Sequence, residues 1–443
     1  MRSDVPSKLS LVTNAFRPGT EMDDPSLFAG REQQLREIAT ALNADGDCPM
    51  IYGHRGLGKS SLALQGQLIA AGERGLLVKQ GDADLAIDND TTYVSVYIAC
   101  SDGIVNTKDI LRRLTNGLLL YPQALSGRSS ELRLAQSSTR LRVNAKIFEA
   151  EKAFVYEPRP ELDLDKPSFD FEEQLLELVN HVWTNTGRRI LFIIDELDRV
   201  KDTDGLASFI KASSSEHLKF FLVGIAHTVS ELLADHQSLT RLQVPIAVTP
   251  MDHRELRLII QRAVASLRDN GIALDFSDQA REALAVLAHG FPWFVHLIGR
   301  EALLKVYRAD LDTVEVGHIE EARRSLTSHR FAQQFRDTYQ MAVRDSRYRE
   351  IVLRSFAEWG DLDIPTADVY RVLRSELGVA NPAIYLGHLC KSDHGSVFHR
   401  PKFQKRSVVR FSNDVFRVYV RIRTSIYIGV DNEVNEAWRR HRT

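Results

Sequence analysis

The chain has 443 residues, of which 44% are hydrophobic and 26% are charged, a balance that excludes a disordered or fibrous protein. Its formal net charge of −2 excludes polyanion binding by bulk charge, so a nucleic-acid site would have to be a local basic patch. The three cysteines are far apart and make no metal-binding spacing, which is typical of free thiols in a reducing compartment. We expect two or three domains and, because the longest apolar runs are of strand length and no signal-peptide pattern opens the chain, a cytoplasmic protein without a membrane partner.

Residues 1–27 are polar and contain three prolines, which predicts an extended surface segment. Phe28-Ala29-Gly30-Arg31 then opens a helix with apolar residues on one face, and a turn at 43–47 leads into a short buried strand. This strand leads directly into the most informative motif of the sequence.

That stretch, residues 53–60, has the phosphate-binding loop pattern G-x-x-x-x-G-K-[ST], and a helical pattern follows it. Glycines let backbone N–H groups face phosphate oxygens at a helix N-terminus. Lys59 is predicted to reach the β- and γ-phosphates, and the Ser60 hydroxyl to ligate Mg²⁺. The variable positions have no assigned chemistry. The predicted loop residues are Gly53, His54, Arg55, Gly56, Leu57, Gly58, Lys59, Ser60 and Ser61.

Residues 92–99 read as a strand, and residues 109–120 as a helix. The following residues 121–170 do not fit a compact strand–helix–strand unit, so we interpret them as an insertion. It is a partner-facing device, a mobile loop or a surface ornament, and the sequence does not choose between these.

A second nucleotide motif follows at residues 189–196, where a strand that is apolar on both faces ends in Asp195-Glu196. Asp195 is predicted to hold the Mg²⁺ shell, directly or through water. Glu196 is predicted to accept a proton from the attacking water. No N-K-x-D guanine signature follows, so the expected nucleotides are ATP and ADP.

Another strand, residues 219–228, ends in the polar pair His227 and Thr228, and Arg241 comes just before a strand at 244–248. Pro250 ends the core. Four helices are predicted over 251–327, the first with a capping box at Asp252 and Glu255, and a connecting helix over 328–346.

Residues 347–425 predict three short helices and two strands, followed by a tail at 426–443. From residue 391 to the end, twelve Lys and Arg oppose five Asp and Glu, so this part is basic although the chain is not. The positive groups that we predict to contact duplex DNA are Arg400, Lys402, Lys405 and Arg406. The alternative is a module that binds protein or autoinhibits.

The order of these motifs resembles AAA+ ATPases of the STAND and origin-initiator branches. The resemblance implies an α/β fold with a three-layer P-loop core and parallel sheet at 28–250, a helical lid at 251–327 and a winged helix at 347–425. It also implies that Phe28 and Arg31 lie beside adenine, although a helix cap with a buried Phe is an equal reading of Phe28. It makes Arg241 an arginine finger that reaches a neighbouring subunit, against an ordinary surface arginine.

The resemblance further makes His227 or Thr228 a γ-phosphate sensor, against a plain polar loop pair. In many AAA+ proteins a lid arginine senses nucleotide, but Trp293 stands near that place here, with Arg300 as a weak substitute.

Three functions remain open: an ATP-driven switch or assembly regulator, a DNA-binding initiator or transposition regulator, and a scaffold with negligible hydrolysis. Lys59, Asp195 and Glu196 argue against the scaffold. The resemblance implies a homo-oligomer and a protein effector encoded nearby, in a bacterial mobile element or anti-phage defence locus.

Overall fold

The computed structural model describes residues 7–88, 92–120, 141–143, 171–226, 239–328, 332–401 and 407–442. The internal contacts divide the chain into two units. The sheet unit comprises residues 21–54 and 58–249, and the helical unit comprises residues 1–20, 55–57 and 250–443. Over the described ranges, no helix combines the length and the apolar content that crossing a bilayer requires.

The elements of the first half of the chain are, in order, α1 (Lys8–Ala15), α2 (Glu32–Asn43), β1 (Cys48–Gly53), α3 (Lys59–Ala70), α4 (Gly75–Gln80), β2 (Tyr93–Ala99), α5 (Thr107–Leu119), β3 (Leu141–Val143), α6 (Phe171–Thr186), β4 (Arg189–Asp195), α7 (Leu206–Ser213), β5 (Leu218–Ile225) and β6 (Gln243–Val248). A short 3₁₀ turn at Leu197–Arg199 follows β4 directly.

The second half continues with α8 (His253–Asp269), β7 (Asp275–Phe276), α9 (Asp278–Ala288), α10 (Pro292–Arg308), β8 (Thr313–Val314), α11 (Val316–Ser328), α12 (Gln333–Val343), α13 (Arg347–Ala357), β9 (Ile364–Pro365), α14 (Thr366–Ser375), α15 (Pro382–Leu389), β10 (Phe398–His399), β11 (Val408–Phe411), α16 (Asp414–Ile422) and α17 (Val430–Arg442).

The sheet unit is built on one sheet with the strand order β3-β2-β4-β5-β1-β6. Five of these strands run parallel, and β3 joins one edge antiparallel to β2. Because β4 lies between β2 and β5, its apolar residues are buried on both faces. The predicted mixed α/β fold with a parallel sheet is therefore confirmed.

Helix α3 packs closely on this sheet and so fixes the position of its own first residues, Lys59 and Ser60. The close approach depends on Gly66, where an added Cβ would lie 2.6 Å from the ring of Phe221 and 3.1 Å from Ile38. Since any larger residue would push the helix away from the sheet, Gly66 sets the distance between the loop that precedes α3 and the strand ends.

The N-terminal segment corrects the sequence prediction. Residues 8–15 form α1 rather than an extended chain, with the Ser7 side chain accepting a hydrogen bond from the N–H of Ser10 as a helix cap. Val12, Ala15 and Phe16 are buried within the helical unit, and the ring of Phe16 packs edge-on against Phe276. The prediction of an extended chain rested on the prolines of this segment and did not take account of the short apolar face of α1.

The predicted helices of residues 251–327 are present as α8 to α11. The capping box at the start of α8 is confirmed, because the Asp252 carboxylate accepts from the N–H of Glu255 at 2.8 Å and the Glu255 carboxylate accepts from the N–H of Asp252 at 3.0 Å.

The C-terminal part has one core shared by α12 to α17 and a three-stranded antiparallel sheet of order β10-β11-β9. Two segments predicted to lie outside the domain at 347–425 contribute to this core. The residues read as a connecting helix place Phe335 and Tyr339 in this core, and the residues read as a tail form α17, which buries Val434 and Trp438 there.

Candidate functional site

The loop between β1 and α3 begins at the carboxyl end of the parallel sheet. At Gly53 the backbone has φ of +149°, and an added Cβ would lie 2.4 Å from the carbonyl oxygen of Val248, so only glycine fits. Lys59 is buried at the first turn of α3, and its ammonium group donates to the carbonyl of His54 at 2.7 Å. The lysine therefore closes the loop on itself.

Strand β4 brings Asp195 to the same edge of the sheet. The carboxylate of Asp195 is buried, and its Oδ1 accepts a hydrogen bond from the N–H of Glu196 at 2.7 Å. Its Oδ2 accepts one from the hydroxyl of Tyr97 on β2 at 2.5 Å, and the side chain of Ser60 also hydrogen-bonds with it. One carboxylate thus connects β4, β2 and the start of α3.

Burial raises the pKa of Asp195 above its ordinary value, because an ionised carboxylate is poorly solvated at the end of a buried strand. The hydrogen bonds from Tyr97, Ser60 and the N–H of Glu196 act in the opposite direction by stabilising the ionised form. A buried anion of this kind is compensated best by a cation.

A cavity of about 280 Å³ lies over these groups within the sheet unit. Residues that the sequence motifs identify, Ser60, Asp195 and Glu196, line it together with Glu21, Tyr97 and Arg199. The structure therefore brings Ser60, the last residue of the phosphate-binding motif, and the acidic end of β4 to one polar cavity.

The residues at this cavity fit Mg²⁺. Their donors are hydroxyl and carboxylate oxygens, which this cation prefers, and it commonly takes only one or two protein carboxylates together with phosphate oxygens and water. Over the described ranges, no group of three or more His, Cys, Asp or Glu could hold a metal by itself. Ser60 and Asp195 are the residues that would hold Mg²⁺ here.

Glu196 has a left-handed backbone with φ of +54°, and its side chain is 46% exposed. Its Oε2 accepts from Arg199 at 2.9 Å, and the same guanidinium donates to Asp102 at 3.0 Å. The turn that carries Arg199 is attached to β5, because Asp198 accepts from the N–H of Ile225 at 2.6 Å. Glu196 therefore has a defined position at the rim of the cavity.

Sequence reasoning did not identify Tyr97, Arg199 and Asp102. The proximity of Arg199 was visible, since it lies three residues after Glu196. Tyr97 and Asp102 were not visible, because the pairing of β2 with β4 is what brings Tyr97 to Asp195, and Asp102, in the loop after β2, to Arg199.

Phe28 and Arg31 are both buried in the segment before α2. This segment is attached to α3, since the N–H of Met22 donates to the hydroxyl of Ser61 at 2.9 Å and Gln65 donates to the carbonyl of Met22 at 2.8 Å. Ser61 therefore anchors the preceding chain. The burial of Phe28 fits both readings of that residue, and the adenine-side roles stay predictions.

The remaining predicted nucleotide-sensing residues are spread over both units. Arg241 is exposed before β6, and its role on a neighbouring subunit stays a prediction. Trp293 lies on α10 and donates from its indole nitrogen to the carbonyl of Pro18 at 2.8 Å. Arg300 is partly buried on the same helix. His227 and Thr228 lie outside the described residues.

The C-terminal positive charge is less available than the sequence count predicts. Arg400 is exposed after β10, and Lys402, Lys405 and Arg406 lie outside the described residues. The neighbouring Arg410, one of the twelve basic residues counted from residue 391 onward, is buried and pairs with Asp363.

Arg417 is also buried, and donates to the carbonyls of Ala357 at 3.2 Å and Asp361 at 2.8 Å. A buried arginine needs such acceptors, because its charge is never lost. Part of the basic character therefore stabilises the C-terminal core.

Residues 27–223, which contain both motifs, match the family model described as an AAA ATPase domain. No curated protein matches the chain. The solved structures similar to it include Cdc6p from Pyrobaculum aerophilum, at 13% identity and a TM-score of 0.43, over 95% of this chain and 97% of that one.

Two structures from Aeropyrum pernix are also similar to the chain. The ORC2 protein, in ADPNP–ADP complexes, has 15% identity and a TM-score of 0.47 over 92% of this chain and 94% of that one. The ORC1 protein, in complex with DNA, has 16% identity and a TM-score of 0.43 over 99% of this chain and 100% of that one. At these identities and scores, no function follows for this chain.

Proposed function

We propose that the chain binds and hydrolyses ATP with Mg²⁺ and uses this cycle as a switch or assembly regulator for a partner protein. The observation that carries the proposal is the meeting of Ser60, Asp195 and Glu196 at one polar cavity directly after the phosphate-binding loop. The match of residues 27–223 to an AAA ATPase domain supports it.

In this proposal the N–H groups of the loop and the N-terminus of α3 receive the phosphate oxygens. Lys59 exchanges its bond to the carbonyl of His54 for a bond to the β- and γ-phosphates. Ser60 and Asp195 would hold Mg²⁺, whose positive charge would offset the negative charge of the phosphate oxygens. Glu196 at the rim takes the proton of the attacking water.

ATP binding and phosphate release by the full chain, each measured with and without Mg²⁺, test the proposal. Lys59→Ala is expected to weaken nucleotide binding strongly, because it removes the cation that meets the phosphates. Lys211→Ala is the matched control, since Lys211 is an exposed lysine on α7 in the same unit. Equal nucleotide affinity of the two variants contradicts the proposal.

The biological setting of the switch rests on the family resemblance alone. We propose a homo-oligomer that acts in the cytoplasm on a protein effector encoded nearby, in a bacterial mobile element or an anti-phage defence locus. Deletion of the neighbouring genes one at a time, with the ATPase gene left intact, identifies the effector by loss of the phenotype. If no neighbour affects the phenotype, this setting is wrong.

Binding of duplex DNA is the second candidate function. β10 and β11 pair antiparallel, and the sequence between them contains Arg400, Lys402, Lys405 and Arg406. Three helices and an antiparallel strand pair in this order are typical of a winged helix, in which the strand connection contacts phosphates. We expect binding with weak sequence selectivity and a strong dependence on salt.

The test compares duplex DNA binding, with ATP present, of the wild type and Lys402→Glu/Lys405→Glu/Arg406→Glu. Each lost phosphate contact should lower the slope of log affinity against log salt by about one unit. The control carries the same charge change elsewhere, at the exposed residues Lys79, Lys201 and Lys211. An unchanged slope in the first variant contradicts the DNA site.

A further inference from the structure

Tyr97 is a buried tyrosine that no nucleotide-binding motif includes. It lies on β2, and its register partner on β4 is Ile193, two residues before Asp195. Its hydroxyl donates to Oδ2 of Asp195 at 2.5 Å. Both residues line the cavity that contains Ser60, so the hydrogen bond lies at the wall of the proposed metal site.

The carboxylate of Asp195 is held from two sides. The N–H of Glu196 donates to Oδ1 at 2.7 Å, and Tyr97 donates to Oδ2. The first bond comes from the residue next to Asp195, and it leaves the carboxylate partly free to rotate about its Cβ–Cγ bond. The second comes from a neighbouring strand and fixes the plane of the group relative to Ser60, which also hydrogen-bonds with it. Groups that hydrogen-bond to ligating carboxylates orient them for a metal.

A second tyrosine on β2 has a different hydrogen-bond partner. Tyr93, four residues earlier on β2, is equally buried, but its hydroxyl donates to the backbone carbonyl of Leu42 at 2.9 Å. The same residue type in the same strand thus anchors α2 at one position and a site carboxylate at the other. Packing alone would be satisfied by phenylalanine, so the specific requirement at residue 97 is the donor.

We propose that Tyr97 is a positioning residue for Mg²⁺ that enters with the nucleotide, because its hydroxyl keeps the Asp195 carboxylate in the orientation that the metal needs. This inference rests on the proposed nucleotide function. It predicts that removal of the hydroxyl weakens the response to Mg²⁺ and leaves the binding of nucleotide without metal unchanged.

The test is Tyr97→Phe in the full chain, measured as binding of a fluorescent ATP analogue over a series of Mg²⁺ concentrations and again in EDTA. We expect the Mg²⁺ concentration for half-maximal enhancement to rise about tenfold or more, the usual effect of removing such a partner. Affinity in EDTA should stay at the wild-type value. Tyr93→Phe, the same change four residues away, should leave both measurements unchanged.

Tyr97→Met is the second variant, because its flexible apolar side chain fills the same space without a hydroxyl. It should shift the Mg²⁺ response in the same direction, which keeps the test decisive if Tyr97→Phe folds poorly. If both variants respond to Mg²⁺ as the wild type does, the role of Tyr97 is wrong, and the proposed metal-dependent function still stands. If Mg²⁺ does not affect nucleotide binding by the wild type, both that function and the role of Tyr97 are wrong.

Discussion

Replacing Glu196 with glutamine tests the assignment of the general base most directly. The change converts a carboxylate into an amide of nearly the same shape and leaves the backbone N–H that donates to Asp195 in place. Nucleotide binding should persist, because Lys59 and Ser60 are untouched. Turnover should fall, because an amide cannot accept the proton of the attacking water.

The magnitude follows from the position of Glu196. Loss of a well-placed general base costs about 10²- to 10⁴-fold in rate, or about 2.7 to 5.4 kcal/mol in the activation barrier. The folding cost is far smaller, since Glu196 is 46% exposed and Arg199, 42% exposed, keeps its bond to Asp102. An exposed ion pair contributes about 0.2 to 1 kcal/mol to stability. Glu196→Gln should therefore lose most of its hydrolysis rate and keep nearly all of its folding stability.

The assay pairs steady-state phosphate release with equilibrium binding of a labelled ATP analogue and a thermal unfolding curve. Glu177→Gln provides the same substitution at an exposed position of α6 and should leave all three measurements unchanged. Hydrolysis by Glu196→Gln at the wild-type rate would refute its role as base. A loss of binding as large as the loss of rate would refute the separation of roles argued here.

Three further predictions concern assembly and packing. If Arg241 acts on a neighbouring subunit's nucleotide, ATPase activity per subunit rises with protein concentration, and a mixture of Arg241→Ala with Lys59→Ala regains activity. Turnover that does not change with protein concentration in a monomeric sample rejects this role. Phe16→Ala should destabilise the helical unit by about 3 to 5 kcal/mol, seen as a lower unfolding temperature, because Phe16 is fully buried. Gly66→Ala should cost about 1 to 3 kcal/mol in urea unfolding, because its Cβ would overlap Phe221; an unchanged midpoint excludes this packing argument.

Local sequence patterns were sufficient for the parts of the site that follow directly from a strand end. The strand before Asp195 is apolar on both faces, and the loop before Lys59 has fixed spacing, so both could be placed at the edge of a parallel sheet. Their meeting at one cavity follows because the carboxyl ends of parallel strands lie at the same edge of a sheet. Tyr97 is different, because its hydroxyl matters only through the pairing of β2 with β4, which no local pattern encodes.

The sequence was least informative where charge and burial disagree. Arg410 and Arg417 counted as surface charge, yet they are buried with a carboxylate and with backbone carbonyls as partners. A sum of lysines and arginines treats every side chain as solvated, whereas arginine can satisfy its five donors inside a core. The prediction for the N-terminal helix was wrong for a related reason, because the partner that stabilises Phe16 lies far along the chain at Phe276.

Among the strands that the structure describes, β6 lies at one edge of the sheet, and this position affects self-association. An unpaired edge strand is a template on which another molecule can extend the sheet, and proteins protect against this. Here Pro245 removes one backbone donor from β6, and Gln34 of α2 donates to the carbonyl of Ala247 at 3.3 Å, which uses an acceptor of the same strand. Copies of this chain should therefore resist aggregation through strand-to-strand pairing at this edge.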